Sequence, residues 1–199
     1  MTKVLAADIG FTATGMAIFT YDKEYCPEWR LFDTRCLHTG QEHTKHKVRD
    51  GRKIKLRLAS VAHDDIRRAE LMAGGIFNYY LENKCEAMVC EIPNGGAQSA
   101  WAAKYMGAAT TMIAVIRLVL RCPADWITPT QSRTAAGWRR ETHPGEKTKE
   151  IKTFVMGAMA VKYPAIAGLE DEDKEHIADA CATFEAARGR QLIKSMEGK

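Results

Sequence analysis

A mixed α/β sheet with helices on both faces is the fold class this sequence predicts, on three observations. Three strand-like stretches, residues 3–9, 14–21 and 29–37, follow one another too closely for anything but antiparallel pairing. Two further short apolar runs, 86–91 and 124–128, alternate with long helical periodicities. The chain then ends on two helical stretches, 149–163 and 171–193. An antiparallel start followed by strand–helix alternation gives a five-stranded mixed sheet flanked on both faces.

Taken in order, residues 3–9 are apolar up to Asp8, and Gly10 to Gly15 supply the turn into the second strand. WRLFDTRCL at 29–37 alternates well enough for a third. A polar, basic stretch from His38 to Arg57 interrupts the pattern. From Ala59 to Glu82, Val61, Ile66, Ala69, Met72, Ala73, Ile76, Tyr79 and Tyr80 recur at helical spacing. After the fourth strand, Asn94-Gly95-Gly96 reads as a loop, and Gln98 to Leu120 as a long Ala- and Met-rich helix, core-forming at least in part. Pro129 closes the fifth strand, Thr130 to Gly137 suits one or two helical turns, and 138–147 is a polar loop.

At 199 residues one domain over 1–199 is expected, with a basic insertion at about 38–58. The formal charge of +4 permits a nucleic-acid partner without demanding one. Six cysteines with no C-x-x-C spacing read as reduced thiols in a cytoplasmic protein, not a disulfide framework or structural zinc site. His38, His43 and His46 carry no metal-site signature either. Acidic Asp8 comes too early for a signal peptide, and no run is read as long enough to span a membrane.

The chemistry concentrates at four residues. Asp8 and Glu91 each end an apolar strand, while His176 and Asp179, three apart, share a helix face. Carboxylates so held bind hard divalent cations through oxygen, and two such cations can activate water against a phosphodiester. Each residue also has a plainer reading. Asp8 can cap a turn near Gly10, Glu91 can be a surface residue at a strand end, and His176 can be a half-exposed helix residue. Asp173 on the same face suits the helix N-terminus. The run Lys45–Arg57 holds seven Lys or Arg against one Asp, with Ile54 and Leu56 interleaved. Arg49, Arg52, Lys53, Lys55 and Arg57 on a short strand or extended arm suit a phosphate backbone; a solvated loop is the alternative.

Asp8-Ile9-Gly10 with Thr14-Gly15 resembles the opening motif of RuvC-family Holliday junction resolvases. Glu91 stands where that family has its second acid, and Ser99-Ala100 with Gly107 resembles its following helix. Glu146-Lys147-Thr148 and His176-Ile177-Ala178-Asp179-Ala180 resemble its later motifs, so the likeness spans roughly 3–187 in family order. It implies a ribonuclease H-like fold, a homodimer, two Mg²⁺ or Mn²⁺ ions on Asp8, Glu91, His176 and Asp179, and cleavage of branched DNA. It also carries over Lys147 as a catalytic cation near the scissile phosphate. Two departures stand out. The loop Ile92–Gln98 is short and has no aromatic wedge, which leaves Trp101 as a candidate substitute, and the insertion is unusually basic. Both look more like phage-type members; the expected location is the cytoplasm of a bacterial cell, or of the host if the protein is phage-encoded. Four-way junctions are the expected substrate, with looser cutting of three-way junctions or flaps. The competing readings are a ribonuclease acting on RNA–DNA hybrids and an actin- or sugar-kinase-like ATP-binding domain. The second rests on Asp8, Gly10, Thr12 and Gly15 matching D-x-G-x-T-x-x-G, but lacks a second phosphate loop.

Overall fold

The structure is a computed structural model that describes residues 1–40, 44–49, 52–57, 60–93 and 99–198, with backbone only for 44–49 and 52–57. Its main sheet has five strands: β1 (Thr2–Ile9), β2 (Ala13–Asp22), β3 (Cys26–His38), β6 (Ala87–Glu91) and β7 (Ala124–Ile127). Their spatial order is β3-β2-β1-β6-β7. The first three pair antiparallel, whereas β6 and β7 join in parallel register. Two helices connect the parallel strands, α1 (Val61–Glu82) before β6 and α2 (Ala100–Leu120) before β7.

Strand alternation assigns the two faces. On β1, Val4 and Ala6 enter one core with Phe19, Val89, Ile127, Ile177 and Phe184. Leu5, Ala7 and Ile9 enter the other with Met72, Ile76, Tyr79, Met112 and Ile113. β1 is thus central and buried on both sides, which is why it reads as an unbroken apolar run. The second core lies under α1 and α2. The first lies under α4 (Thr148–Lys162), α5 (Asp171–Ala187) and α6 (Gln191–Glu197). Phe184 of α5 stacks on Phe19 of β2 with centroids 3.8 Å apart, and Trp29 meets it edge-on at 5.3 Å. Fully burying such a side chain contributes roughly 1.5–3 kcal/mol, enough to dock α5 on the sheet.

The five strands and the helical stretches lie where the sequence places them, with four refinements. β3 starts earlier, at Cys26. The basic stretch forms a separate antiparallel ribbon, β4 (Thr44–Arg49) with β5 (Arg52–Arg57), rather than a single arm. Pro129 ends β7 but also opens α3 (Pro129–Ala135). There Thr128 and Gln131 form a capping box, a use of proline at the first helical turn. The last helix breaks around Gly189 into α5 and α6.

By length and composition α2 alone among the described helices passes the test for crossing a membrane, contrary to the sequence reading. Lys104 and Arg117 are its only charged residues. Its inner face packs Ala109, Met112, Ile113 and Ile116 into the core. Val115, Leu118 and Val119 form an exposed apolar stripe beside that face. All six cysteines are unpaired in the structure.

Candidate active site

Pairing register builds one row of residues across the sheet. Asp8 of β1 lies opposite Gly15 of β2 and, in parallel, opposite Glu91 of β6. Gly15 in turn pairs with Cys36 of β3, and Glu91 with Ile127 of β7. Asp8 has the parity of Val4 and Ala6, and Glu91 that of Ala87 and Val89, so the row faces α5.

α5 closes over this row. A Cβ built on Gly15 would lie 2.0 Å from the His176 carbonyl oxygen and 2.8 Å from the Ile177 nitrogen. Strand and helix backbones therefore touch, and only glycine permits it. This contact brings His176 Nδ1 to 3.3 Å from Asp8 Oδ2. Asp179, one helical turn on, falls within the field of Asp8 and Glu91. Ile177, Ala180, Cys181 and Phe184, the predicted docking stripe, are all buried. The four residues singled out in the sequence thus meet at one end of the sheet.

Electrostatically the cluster is only partly compensated, by Arg133 near Glu91 and Lys152 near Asp179. Burial, then repulsion from Asp8, raises Glu91 to about 7 despite hydrogen bonds from Ser132 and Thr183. Burial, then Asp8 and Glu91, push Asp179 well above the usual carboxylate range. His176 moves up as well, chiefly through its hydrogen bond to Asp8. Three carboxylates and an imidazole crowded this way, partly buried, offer the oxygen-rich chemistry that hard divalent cations take.

Searches of protein-family models and of curated protein sequences return no match. Among solved structures, RuvC of Thermus thermophilus in complex with a Holliday junction substrate superposes with a TM-score of 0.60. That match is 17% identical and covers 100% of this chain and 97% of that one. The chain has the RuvC fold. Fowlpox virus resolvase in complex with Holliday junction DNA gives a TM-score of 0.50 at 12% identity, covering 98% and 99% of the two chains. The yeast mitochondrial Holliday junction resolvase gives 0.52 at 9%, covering 98% and 84%. The five-stranded mixed sheet and its helices are therefore of the ribonuclease H-like type, as the motifs implied.

Several residues around this acid cluster were not legible in the sequence. Ser132 on α3 is buried and donates to Glu91 Oε2 at 2.5 Å; Thr183 on α5 lies 3.3 Å from Ser132 Oγ. Arg68 of α1 is fully buried. It donates to the Phe11 carbonyl at 3.1 Å, to Thr12 Oγ1 at 3.1 Å and to Thr39 Oγ1 at 3.2 Å, so it pins the turn that follows Asp8. Lys147 is exposed at the N-cap of α4, its backbone N–H donating to Glu150 at 2.7 Å. Lys152, further along α4, instead faces the acids. Burial opposes its charge, yet a hydrogen bond to Glu175 and the fields of Asp179 and Asp8 hold its pKa above the ordinary lysine value. Trp101 is half exposed on the first turn of α2, tilted over Tyr105 at 5.8 Å, and Tyr105 stacks on Phe11 at 4.8 Å. Residues 94–98 and the side chains of Arg49, Arg52, Lys53, Lys55 and Arg57 lie outside the described residues.

Gly15→Ala is expected to destabilise the protein by about 3 kcal/mol or more, because the new Cβ meets helix backbone and no rotamer change can relieve it. Denaturant midpoints measure it. A destabilisation under about 1 kcal/mol would mean that α5 does not sit this close to β2.

Proposed function

We propose that this protein is a metal-dependent, structure-selective DNA endonuclease that cuts Holliday junctions by paired phosphodiester hydrolysis. One observation carries the reading: Asp8, Glu91, His176 and Asp179, distant in sequence, converge at one end of a sheet with the RuvC fold. These four would hold two Mg²⁺ ions, with Mn²⁺ as a substitute. When bound, the ions supply an activated water and charge stabilisation at the leaving oxygen. The residues' own work is positional. Ser132 orients the Glu91 carboxylate, and the turn pinned by Arg68 fixes the approach to Asp8. Lys147 and Lys152 are the candidate cations for the scissile phosphate and for balancing the acids.

The exposed stripe Val115, Leu118 and Val119 supports a homodimer, which would set two sites against two strands of a junction. Trp101 is the proposed branch-reading aromatic. The test uses purified protein with a mobile four-way junction, a three-way junction, a flap, matched duplex and an RNA–DNA hybrid, with and without Mg²⁺ or Mn²⁺. Paired, near-symmetric nicks leaving 5′-phosphate and 3′-hydroxyl ends are expected in the four-way junction. Weaker cutting of the other branched substrates is expected, with a dimer mass by light scattering. Cuts on one strand only, or a monomer at micromolar concentration, would refute pairing. Preference for the hybrid would favour a ribonuclease instead.

The β4–β5 ribbon is proposed to track the phosphate backbone. Replacing Arg52, Lys53, Lys55 and Arg57 by Gln is expected to weaken binding to every DNA substrate alike. The slope of log affinity against log salt should fall by about 0.9 for each phosphate no longer neutralised. An unchanged slope would leave the ribbon a solvated appendage.

A further inference from the structure

Beside the acid row lies a second cluster of a different chemical character. Cys36 and His38 are two apart on β3 and so project to the same face, the face covered by α5. Asp173, in the first turn of α5, meets them there: His38 Nε2 is 2.6 Å from Asp173 Oδ1. One ligand atom each from Cys36, His38 and Asp173 lies within 4.8 Å of the others. Tetrahedral zinc with ordinary bond lengths places its sulfur, nitrogen and oxygen ligands about 3.3–3.6 Å apart, so shifts of roughly 1 Å close the set. The other ring nitrogen, Nδ1, lies 3.5 Å from Glu172 Oε1. A histidine that ligates through one nitrogen while a carboxylate holds the other is the usual arrangement at zinc.

We propose that Cys36, His38 and Asp173 form a binding site for a borderline-soft divalent cation of the Zn²⁺ type, separate from the hard-cation row at Asp8, Glu91 and Asp179. Donor chemistry separates the two. A thiolate and an imidazole select zinc over magnesium, whereas carboxylate oxygens select the reverse. The local field favours a cation. After burial, the carboxylates of Asp173, Asp8 and Glu172 push the Cys36 thiol up to about 12. A bound divalent ion would deprotonate it outright. The site ties edge strand β3 to the start of α5, and the His38 ring lies 6.3 Å, centroid to centroid, from that of His176. A cation here clips the first turn of the helix that carries His176 and Asp179. Three protein ligands leave the fourth zinc position open.

The experiment reads metal binding, not cleavage, so its result is independent of the nuclease reading. Full-length protein is stripped with a chelator and titrated with Co²⁺, a spectroscopic stand-in for Zn²⁺. One equivalent should produce a thiolate-to-cobalt charge-transfer band in the near ultraviolet. Zn²⁺ should abolish the band, and excess Mg²⁺ should not. Cys36→Ser should lose the band. His38→Ala, at an exposed position, should weaken Co²⁺ binding at least about 10-fold, and Glu172→Gln about 10-fold through loss of the ring's orienting partner. Asp8→Asn should keep the band. Zn²⁺ should raise the melting temperature of the wild type but not of Cys36→Ser. No band in the wild type, or a band that survives Cys36→Ser, overturns the proposal. Disappearance of the band in Asp8→Asn places the ion in the acid row and overturns a separate site.

Discussion

Asp8→Asn, Glu91→Gln and Asp179→Asn are each expected to lower the rate of junction cleavage on the order of 10³-fold while leaving junction affinity intact. Each change keeps side-chain volume and removes one anionic ligand from the row. Losing several kcal/mol of charge stabilisation at the reacting phosphate corresponds to that factor, at about 1.4 kcal/mol per tenfold. Binding is expected to survive because the proposed phosphate contacts lie on the basic ribbon, in a separate two-stranded sheet. Single-turnover cleavage and gel-shift affinity on the same junction separate the two quantities. Asp8→Asn retaining more than a tenth of wild-type activity would sink the four-residue centre. Loss of binding in step with cleavage would instead mean that the acids shape the DNA surface.

Most of the architecture was legible because its signals are local. Val4–Ala7 and Met88–Cys90 are unbroken apolar runs, the mark of strands buried on both faces, and both end on an acid. That placement alone pointed to Asp8 and Glu91. The His176/Asp179 spacing gave the shared helical face but not the distance to Asp8. That distance depends on Gly15, whose missing Cβ lets α5 touch β2. The residues missed share one property: they act across the chain. Ser132 reaches Glu91 over 41 positions and Arg68 reaches Phe11 over 57, so no window of sequence relates them. Arg68 beside Arg67 reads as a solvated face, yet it is fully buried. The proposed Cys36–His38–Asp173 site leaves no local signature, because Asp173 is 135 residues beyond His38. The ribbon did leave a local mark. Asp50-Gly51 between alternating residues is a strong hairpin signal, set within a run of basic charge.

The same acid row makes a prediction about stability that runs opposite to activity. In metal-free protein, Glu91→Gln is expected to stabilise the fold at pH 8. Burial and Asp8 raise the Glu91 carboxyl from 4.5 to about 7, so the folded state resists its ionisation. A carboxyl raised on folding contributes its full stability below its unfolded value, and that contribution is lost as pH rises through the folded value. The window here is therefore about 4.5 to 7, with the whole penalty present above 7. A displacement of this size corresponds to up to about 3 kcal/mol, and water at the open end of the row reduces it to about 1–3 kcal/mol. For a chain of this length that is roughly 2–12 °C in melting temperature. Gln still accepts from Ser132, so the substitution removes charge without orphaning that hydroxyl. Saturating Mg²⁺ should reverse the order, because the cation stabilises the wild-type row and finds one ligand fewer in the variant. Thermal melts at pH 5 and pH 8, in chelator and in Mg²⁺, test all four corners. The variant should melt higher only in chelator at pH 8, with the gap nearly closed at pH 5. A variant less stable than wild type in chelator at pH 8 would show that Glu91 is at ease in the fold. The three acids would then not be held together against their mutual repulsion, and the case for a divalent-cation centre at this end of the sheet would fall with it.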